Sequence, residues 1–102
     1  MSISVVVKNG RAHRIDDKTR SDGGTIGNSG AVDAASDGTH AVIVYENGQA
    51  ARYDLNTGGF RGSVGKSDAV GCRISGELII LESDDGKVSK YDIKTGGFKG
   101  LV

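Results

Sequence analysis

The sequence predicts an all-β domain, on three observations. Val and Ile total 18 of the 102 residues whereas Leu and Met total five, and β-branched side chains favour strands over helices. Asp outnumbers Glu ten to three, so helix formers are scarce and turn residues are plentiful. The 17 glycines separate short segments of strand length. One small domain of short strands and tight turns is therefore expected.

Charge and apolar patterning exclude several classes of protein. The chain carries 13 basic and 13 acidic residues, so we expect neither a nucleic-acid binder nor a protein of acidic membranes, both of which need clustered positive charge. The longest apolar run, Ala41 to Tyr45, is far too short to span a bilayer. Cys72 is the single cysteine, and the N-terminus resembles no secretion signal, so a cytoplasmic location is predicted.

The chain is a tandem repeat with an offset of 38 residues. Between Gly48 to Val64 and Gly86 to Val102, nine of 17 positions are identical. We divide the single domain 1–102 into units of about 1–30, 31–68 and 69–102, of which the first lacks its first strand. Two sets of charged residues fall in register, namely Arg14, Arg52 and Lys90, and Asp16, Asp54 and Asp92.

Each unit is predicted to hold four short strands, which gives 11 strands in the chain. The first strand comprises Ala31 to Ser36 and Ala69 to Ile74. The second comprises Ile3 to Val7, Ala41 to Tyr45 and Leu78 to Leu81, and its continuous apolar character predicts a central strand buried on both faces. It ends at Asn9-Gly10, Asn47-Gly48 or Asp85-Gly86, dipeptides that favour hairpin turns.

The third strand comprises His13 to Asp16, Ala51 to Asp54 and Ser89 to Asp92. Its basic residue and its Asp are two positions apart and share one face, which predicts a structural pairing between them. A turn follows, in which the Asp accepts backbone N–H bonds and a Gly takes a left-handed conformation. The fourth strand comprises Gly59 to Val64 and Gly97 to Val102.

These motifs carry a family resemblance. The order is Ser-x-Gly, apolar strand, Asn-Gly or Asp-Gly, and then Tyr-Asp-x-x-Thr-Gly, as at Tyr53 to Gly58 and Tyr91 to Gly96. It resembles a blade of a β-propeller of the WD-repeat and quinoprotein type over nearly the whole chain. Tyr stands where WD repeats have the Trp of Trp-Asp, and the chain has no Trp. The resemblance therefore implies four-stranded blades without a quinone, and no cofactor is expected.

The number of repeats predicts self-association. Propellers typically have four to eight blades, whereas this chain provides two full units and part of a third. Open ends expose strand edges that pair with other chains, so we expect a homo-oligomer, with a dimer of about six blades as the first choice. The alternative is a monomeric β-trefoil or β-prism, in which three copies suffice for internal threefold symmetry.

No catalytic or metal signature is recognised. The two histidines are 27 residues apart without a ligand cluster, and Cys72, which aligns with Ala34, is expected to fill a small buried volume. Positions that differ between copies are freer to serve function, which selects Asp33, Arg73 and Asp22 as candidate ligand-binding residues. In a propeller, Asp33 and Arg73 lie on the strands that line the axial channel.

The predicted function is a non-catalytic binding or protein-interaction module on an all-β scaffold. Its expected partners are further copies of the chain and a protein, peptide or small polar ligand. Two alternatives stay open. One is a sugar-binding protein with a shallow site in each repeat, suggested by the Asn-Gly and Thr-Gly loops. The other is a small enzyme that uses Asp33, Arg73 or Asp22 in a pocket between subunits.

Overall fold

The computed structural model describes residues 3–102, in which 11 strands form three antiparallel sheets and no helix occurs. Within each sheet the strands follow one another in chain order. The first sheet has three strands and the others have four, as the sequence predicts. The strands are β1 (Ile3–Lys8), β2 (Arg11–Asp16) and β3 (Asp22–Ile26) in the first sheet; β4 (Ala31–Ser36), β5 (His40–Tyr45), β6 (Ala50–Asp54) and β7 (Phe60–Val64) in the second; and β8 (Ala69–Ser75), β9 (Leu78–Ser83), β10 (Val88–Asp92) and β11 (Phe98–Leu101) in the third.

The three sheets stack face to face and enclose two separate hydrophobic cores. The first core lies between the first and second sheets and includes Val5, Ala12, Ile26, Ala41, Ile43 and Leu55. The second core lies between the second and third sheets and includes Val42, Val44, Val64, Ile79, Leu81 and Ile93. A β-trefoil or β-prism would instead enclose one core around a threefold axis. The two separate cores therefore contradict that alternative and indicate blade-like sheets.

Strand β5 is the most deeply buried element because it contributes to both cores. Residues Ala41, Val42, Ile43 and Val44 are all 0% exposed. Since successive side chains of a strand point to opposite faces, Ala41 and Ile43 pack against the first sheet while Val42 and Val44 pack against the third. The predicted central strand is confirmed here. Strand β1, by contrast, lies at the edge of its three-stranded sheet.

Strand β1 is shifted by one residue relative to the 38-residue repeat. Its hairpin has only Asn9 and Gly10 in the turn, with φ values of 52° and 76°, and Lys8 pairs with Arg11. Opposite Arg14 lies Val5, whereas Val42 lies opposite Arg52. A shift of one residue reverses the faces of a strand. Val5 therefore joins the first core, and Val6 points away from it and is 38% exposed.

The Asp residue that ends the third strand of each unit caps the turn that follows it. Asp54 Oδ1 accepts hydrogen bonds from the N–H groups of Asn56 and Thr57 at 2.9 and 3.0 Å, and Asp16 and Asp92 accept equivalent bonds. Gly58, with φ 76°, completes the second turn. These bonds are the ones predicted for the turn, and they occupy the carboxylates locally.

Candidate functional site

Arginine side chains connect each sheet to the next one. Arg52 Nη1 donates to the carbonyl oxygens of Ile93 and Lys94, at 3.2 and 2.9 Å. Arg14 Nη1 makes the same two contacts one repeat earlier, to the carbonyl oxygens of Leu55 and Asn56 at 3.4 and 3.3 Å. We call this repeated contact the arginine clamp. It ties the strand that carries the arginine, β2 or β6, to the turn after β6 or β10 in the following sheet.

The clamp corrects the predicted pairing of each basic residue with the Asp two positions later. Arg52 Nη2 donates to the carbonyl oxygen of Arg61 at 2.8 Å, and its remaining contacts cross the junction. Asp54, in contrast, bonds to its own turn and to Arg61 Nη2 at 3.0 Å. The two side chains share a face but have other partners. The Asp54 carboxylate is held by backbone N–H groups, and the Arg52 guanidinium donates to main-chain carbonyl oxygens.

A buried apolar residue accompanies each clamp. Leu55 is 0% exposed in the first core and Ile93 is 2% exposed in the second. Each directly follows the capping Asp of its turn and inserts beside the preceding sheet. The corresponding residue of the first unit is Asp17, which is exposed and accepts a hydrogen bond from Ser4 Oγ at 2.7 Å. The first sheet therefore presents an acidic group where the other two present an apolar one.

The open face of the third sheet repeats the geometry of an internal junction. Arg73, Ile80 and Lys90 lie side by side across β8, β9 and β10. Their counterparts in the second sheet are Ala35, Val42 and Arg52, again side by side, and these face the third sheet. Lys90 thus occupies the clamp position. Its ammonium group makes no hydrogen bond or ion pair with another residue in 3–102.

A groove runs along the first junction. It has a volume of about 530 Å³ and is formed mainly by the second sheet and the β3–β4 loop. Tyr53 and Phe60 form an edge-to-face aromatic pair in it, with ring centroids 5.8 Å apart. The other lining groups include Asn28, Ser29, Tyr45, Glu46, Asn47, Gln49 and Ser63. We call it the first groove.

An equivalent groove of about 450 Å³ lies one repeat later, at the second junction. Tyr91 and Phe98 form its aromatic pair, with ring centroids 5.6 Å apart. Its rim differs in charge, since it carries Lys66, Asp68, Asp85 and Lys87. We call it the second groove. Both outer aromatic rings are open to solvent, with Phe60 63% and Phe98 62% exposed.

Two tyrosines give the first groove a fixed hydroxyl pair. The Tyr45 and Tyr53 hydroxyls are 2.6 Å apart, and the Tyr45 hydroxyl also accepts a hydrogen bond from the N–H of Asn28 at 3.0 Å. Burial, followed by the hydrogen bond with Tyr45, raises the pKa of Tyr53 above its ordinary value. The Tyr53 hydroxyl therefore stays protonated at neutral pH. Ser83 replaces Tyr45 in the second groove.

Of the three candidate residues selected from the sequence, Asp33 is placed at the contact between two innermost strands. It lies on β4 beside a β-bulge, and its Oδ2 accepts a hydrogen bond from the N–H of Cys72 on β8 at 3.0 Å. Its Oδ1 accepts from the N–H of Ala34 at 2.9 Å. Both oxygens of this carboxylate thus have backbone partners, and Gly71 takes its place in the next unit.

Arg73 and Asp22 have partners different from those of Asp33. Arg73 lies on the open face of the third sheet, 3.8 Å from Glu82. Asp22 lies at the start of β3 in the first sheet, 2.8 Å from His13 Nδ1. The N–H of Gly24, with a smaller contribution from His13, lowers the pKa of Asp22. The three residues form no shared site.

Asp22 occupies, in the first sheet, the position that Phe60 occupies in the second. Ile15 pairs with Asp22 across β2 and β3, as Tyr53 pairs with Phe60 across β6 and β7. The aromatic pair of the two grooves is therefore replaced in the first sheet by an aliphatic residue and a carboxylate. The residues of the grooves were not selected from the sequence, because their repetition was attributed to the fold alone. The available signal was a Phe after Thr-Gly-Gly in two units.

Cys72 is half-buried beside the second core. Its Sγ lies 3.7 Å from the carbonyl oxygen of Val42, and it packs against the second core. Burial, with smaller effects of Asp33 and Glu82, raises the pKa of the thiol to about 12. Within residues 3–102, no group of three or more His, Cys, Asp or Glu side chains is arranged to hold a metal ion, and no helix could cross a membrane.

Comparison with known proteins places the fold. No family model and no curated protein sequence matches the chain. The computationally designed Ika8 protein is similar at a TM-score of 0.74 and 19% identity, over 96% of this chain and 32% of that one. BamB from Moraxella catarrhalis is similar at 0.69 and 18% identity, over 97% and 32% of the two chains. The designed Ika4 protein is similar at 0.69 and 19% identity, over 91% and 61%.

These similarities agree with the stacked sheets described above. The fold is all-β and propeller-like, built of blade-like repeats. The chain spans about a third of the length of the Ika8 and BamB chains and 61% of the Ika4 chain. Because identity is below 20% in each case, the similarity concerns architecture and carries no ligand or activity to this chain.

Proposed function

We propose that the chain is a non-catalytic interaction module that associates with further copies of itself through the open faces of its first and third sheets. The arginine clamp is the observation that carries the proposal. It occurs at both internal junctions at the same offset, and Lys90 stands at its third position on an open face. We therefore propose that the open face of the third sheet binds the first sheet of another copy of the chain.

The two positions that a clamp between copies would join carry opposite charges. Lys90 and Arg73 are on the face of the third sheet, together with Glu82. On the first sheet, the turn that a clamp residue would meet begins at Asp17, and Asp22 lies nearby on β3. At an internal junction the clamp residue meets carbonyl groups beside Leu55 or Ile93. Between two copies, Lys90 would meet the carbonyl groups of residues 17 and 18 and the Asp17 carboxylate, which adds an ion pair.

Apolar groups on both faces would be buried by the same contact. Val102, the counterpart of the buried Val64, is 71% exposed, and Val6 on the first sheet is 38% exposed. Removing such surface from water favours association by about 25 cal/mol per Å². In a head-to-tail contact of this kind, both open faces of every copy are covered only if the copies close into a ring. Two copies would provide about six blades, within the range typical of propellers.

The blade type and the cellular location form part of the same proposal. Tyr53-Asp54 and Tyr91-Asp92 support assignment of the repeats to the WD-repeat and quinoprotein class of blades, with Tyr in place of Trp. The single cysteine forms no disulfide within the chain and suits a reducing compartment, so we propose a cytoplasmic location for the assembly. Cell fractionation that recovers the chain in an oxidising compartment would contradict this assignment.

Sedimentation equilibrium of the 102-residue chain tests the assembly. The expected mass is a multiple of 10.5 kDa over concentrations from about 1 to 100 μM. Lys90→Glu and Asp17→Lys should each reduce the mass to one chain, because each places like charges against one another. The two changes combined restore opposite charges and should restore the assembly. Lys87→Glu, an equal change of charge in the second groove, should leave the mass unaltered.

Two results would contradict the proposal. One is a mass of a single folded chain at every concentration, which would mean that the polar groups of the outer sheets act as caps, as terminal repeats do in other arrays. The other is dissociation by Lys87→Glu as readily as by Lys90→Glu, which would place the contact elsewhere. Far-ultraviolet circular dichroism of each variant establishes that the fold is retained.

A further inference from the structure

The first groove presents an exposed aromatic ring to solvent. Phe60 contributes to neither core and is 63% exposed, whereas the ring it contacts, Tyr53, is 5% exposed and belongs to the first core. An exposed ring anchored edge-to-face on a buried one is held in position at little cost in entropy. The Phe60 ring is thus a fixed apolar surface that faces solvent, which we call the platform.

Uncharged polar groups surround this platform. Asn28 and Gln49 provide amides, and Ser29 and Ser63 provide hydroxyls. Asn47 provides its NH2 group, because its Oδ1 accepts a hydrogen bond from the N–H of Gln49 at 3.0 Å. The Tyr45 hydroxyl is held by the N–H of Asn28 and by Tyr53. Among the lining residues, Glu46 alone carries a charge. Amides donate and accept at once, so the groove offers many hydrogen bonds and little net charge.

We propose that the first groove binds a neutral saccharide. A sugar ring has an apolar C–H face, which would pack on Phe60, and hydroxyl groups around its edge, which would bond with the amides and hydroxyls of the rim. Ligand sites in general combine an apolar surface with a few placed polar groups. A purely hydrocarbon ligand would leave the amides unpaired, and a strongly charged ligand would lack countercharges.

The second groove supplies a contrast within the same chain. It keeps the aromatic pair Tyr91 and Phe98, but its rim has Lys66 and Lys87 where the first groove has Asn28 and Gln49. Flexible charged side chains are strongly hydrated and provide no fixed amide pairs. The neutral saccharide is therefore expected at the first groove and not at the second.

This inference goes beyond assembly, because all the residues of the first groove belong to one chain. It is tested by following backbone amide shifts of the isotopically labelled 102-residue chain in nuclear magnetic resonance titrations. The probes are glucose, galactose, mannose and N-acetylglucosamine, with N-acetylneuraminic acid as the charged counterpart. At least one neutral sugar should shift the amides of residues 28, 47, 49 and 60, with a Kd on the order of 1 mM.

Matched variants locate the site. Phe60→Ala should weaken binding of the responding sugar by at least about tenfold, and Phe98→Ala should change it by less than about twofold. The double change Asn28→Lys and Gln49→Lys gives the first groove the two lysines of the second groove. Both positions are exposed, so the fold and Phe60 should be retained while sugar binding is abolished. Sedimentation of the same samples reports assembly separately, so loss of one property is distinguishable from loss of the other.

Three results would overturn the inference. The first is the absence of shifts with all four neutral sugars. The second is equal weakening by Phe60→Ala and Phe98→Ala. The third is a response to N-acetylneuraminic acid that exceeds the response to every neutral sugar, since that would assign a charged ligand to the protein.

Discussion

The Asp33 carboxylate accepts a hydrogen bond from the backbone N–H of Cys72, 3.0 Å away on the neighbouring sheet. The two residues lie on β4 and β8, the innermost strands of successive sheets, and the bond is partly buried. The candidate ligand-binding residue on β4 thus has a structural partner. A side chain that satisfies a main-chain donor of the next sheet fixes the spacing between two blades at their inner edge.

Removal of this acceptor should destabilise the protein. In Asp33→Ala the N–H of Cys72 loses its partner, and we expect a loss of about 1 to 3 kcal/mol in the free energy of unfolding by urea. Asp33→Asn keeps an amide oxygen that can accept the bond and should lose less. Asp84→Ala, in an exposed turn, is the control. Equal stability of the Asp33→Ala and Asp84→Ala variants would show that the bond contributes nothing.

The fold was largely predictable from the sequence because the repeat specifies it three times. Turn residues such as Asp54 and Gly58 fix local geometry by bonds within a few residues, and these were predicted. The partners of Arg52 were not, because its contacts lie 41 and 42 residues away and depend on how the sheets stack. The one-residue shift of β1 was not predicted either, because it follows from the turn at Asn9, which is one residue shorter than its counterparts.

The candidate site was less predictable than the fold. Asp33, Arg73 and Asp22 were selected because they differ between copies, yet the structure gives them separate surroundings. Phe60 was not selected because Phe98 repeats it in the next unit, and candidates were sought among positions that differ between copies. Whether a repeated aromatic residue lies in a core or in a groove depends on the stacking angle and on the length of the neighbouring loops, which local sequence patterns do not report.

The two arginine clamps should differ in strength. Arg52 donates three hydrogen bonds, the longest of 3.2 Å, whereas Arg14 donates two, at 3.3 and 3.4 Å. We expect Arg52→Ala to lower the free energy of unfolding by about 2 to 3 kcal/mol and Arg14→Ala by about 1 kcal/mol. Lys90→Ala, measured at concentrations where the chain is monomeric, should have almost no effect. An Arg14→Ala loss as large as that of Arg52→Ala would contradict this ranking.

The apolar residue beside each clamp should contribute through burial. Ile93→Ala removes buried methyl and methylene groups and leaves a cavity in the second core, so a loss of about 2 to 5 kcal/mol is expected in chemical unfolding. Ile93→Val should lose about 0.5 to 1.5 kcal/mol. Val32→Ala, at a position 50% exposed, serves as control. A loss in the free energy of unfolding below about 1 kcal/mol for Ile93→Ala would contradict this prediction and show that the Ile93 side chain contributes little to the second core.

The thiol of Cys72 should make stability depend on pH in alkaline solution. Its pKa is raised from an ordinary value of 9.0 to about 12, chiefly by burial. The folded protein therefore keeps its proton at a pH where the unfolded chain releases it. The stabilisation is fully present below pH 9 and is lost as the pH rises toward 12, with a slope of up to about 1.4 kcal/mol per pH unit for one group.

Comparison with Cys72→Ala isolates this effect from the titration of lysines and tyrosines. Alanine fits the position, since Ala34 occupies it in the second sheet. The difference in unfolding free energy between the two proteins should be constant from pH 6 to 8 and should shift against the wild type between pH 9 and 10.5, the range in which the unfolded thiol ionises. The raised pKa of the thiol also predicts that the folded protein reacts more slowly with a thiol reagent at pH 8 than the unfolded chain does. A rate equal to that of a free cysteine would place the Cys72 sulfur in solvent, against the contacts of β8 with β4 and β5.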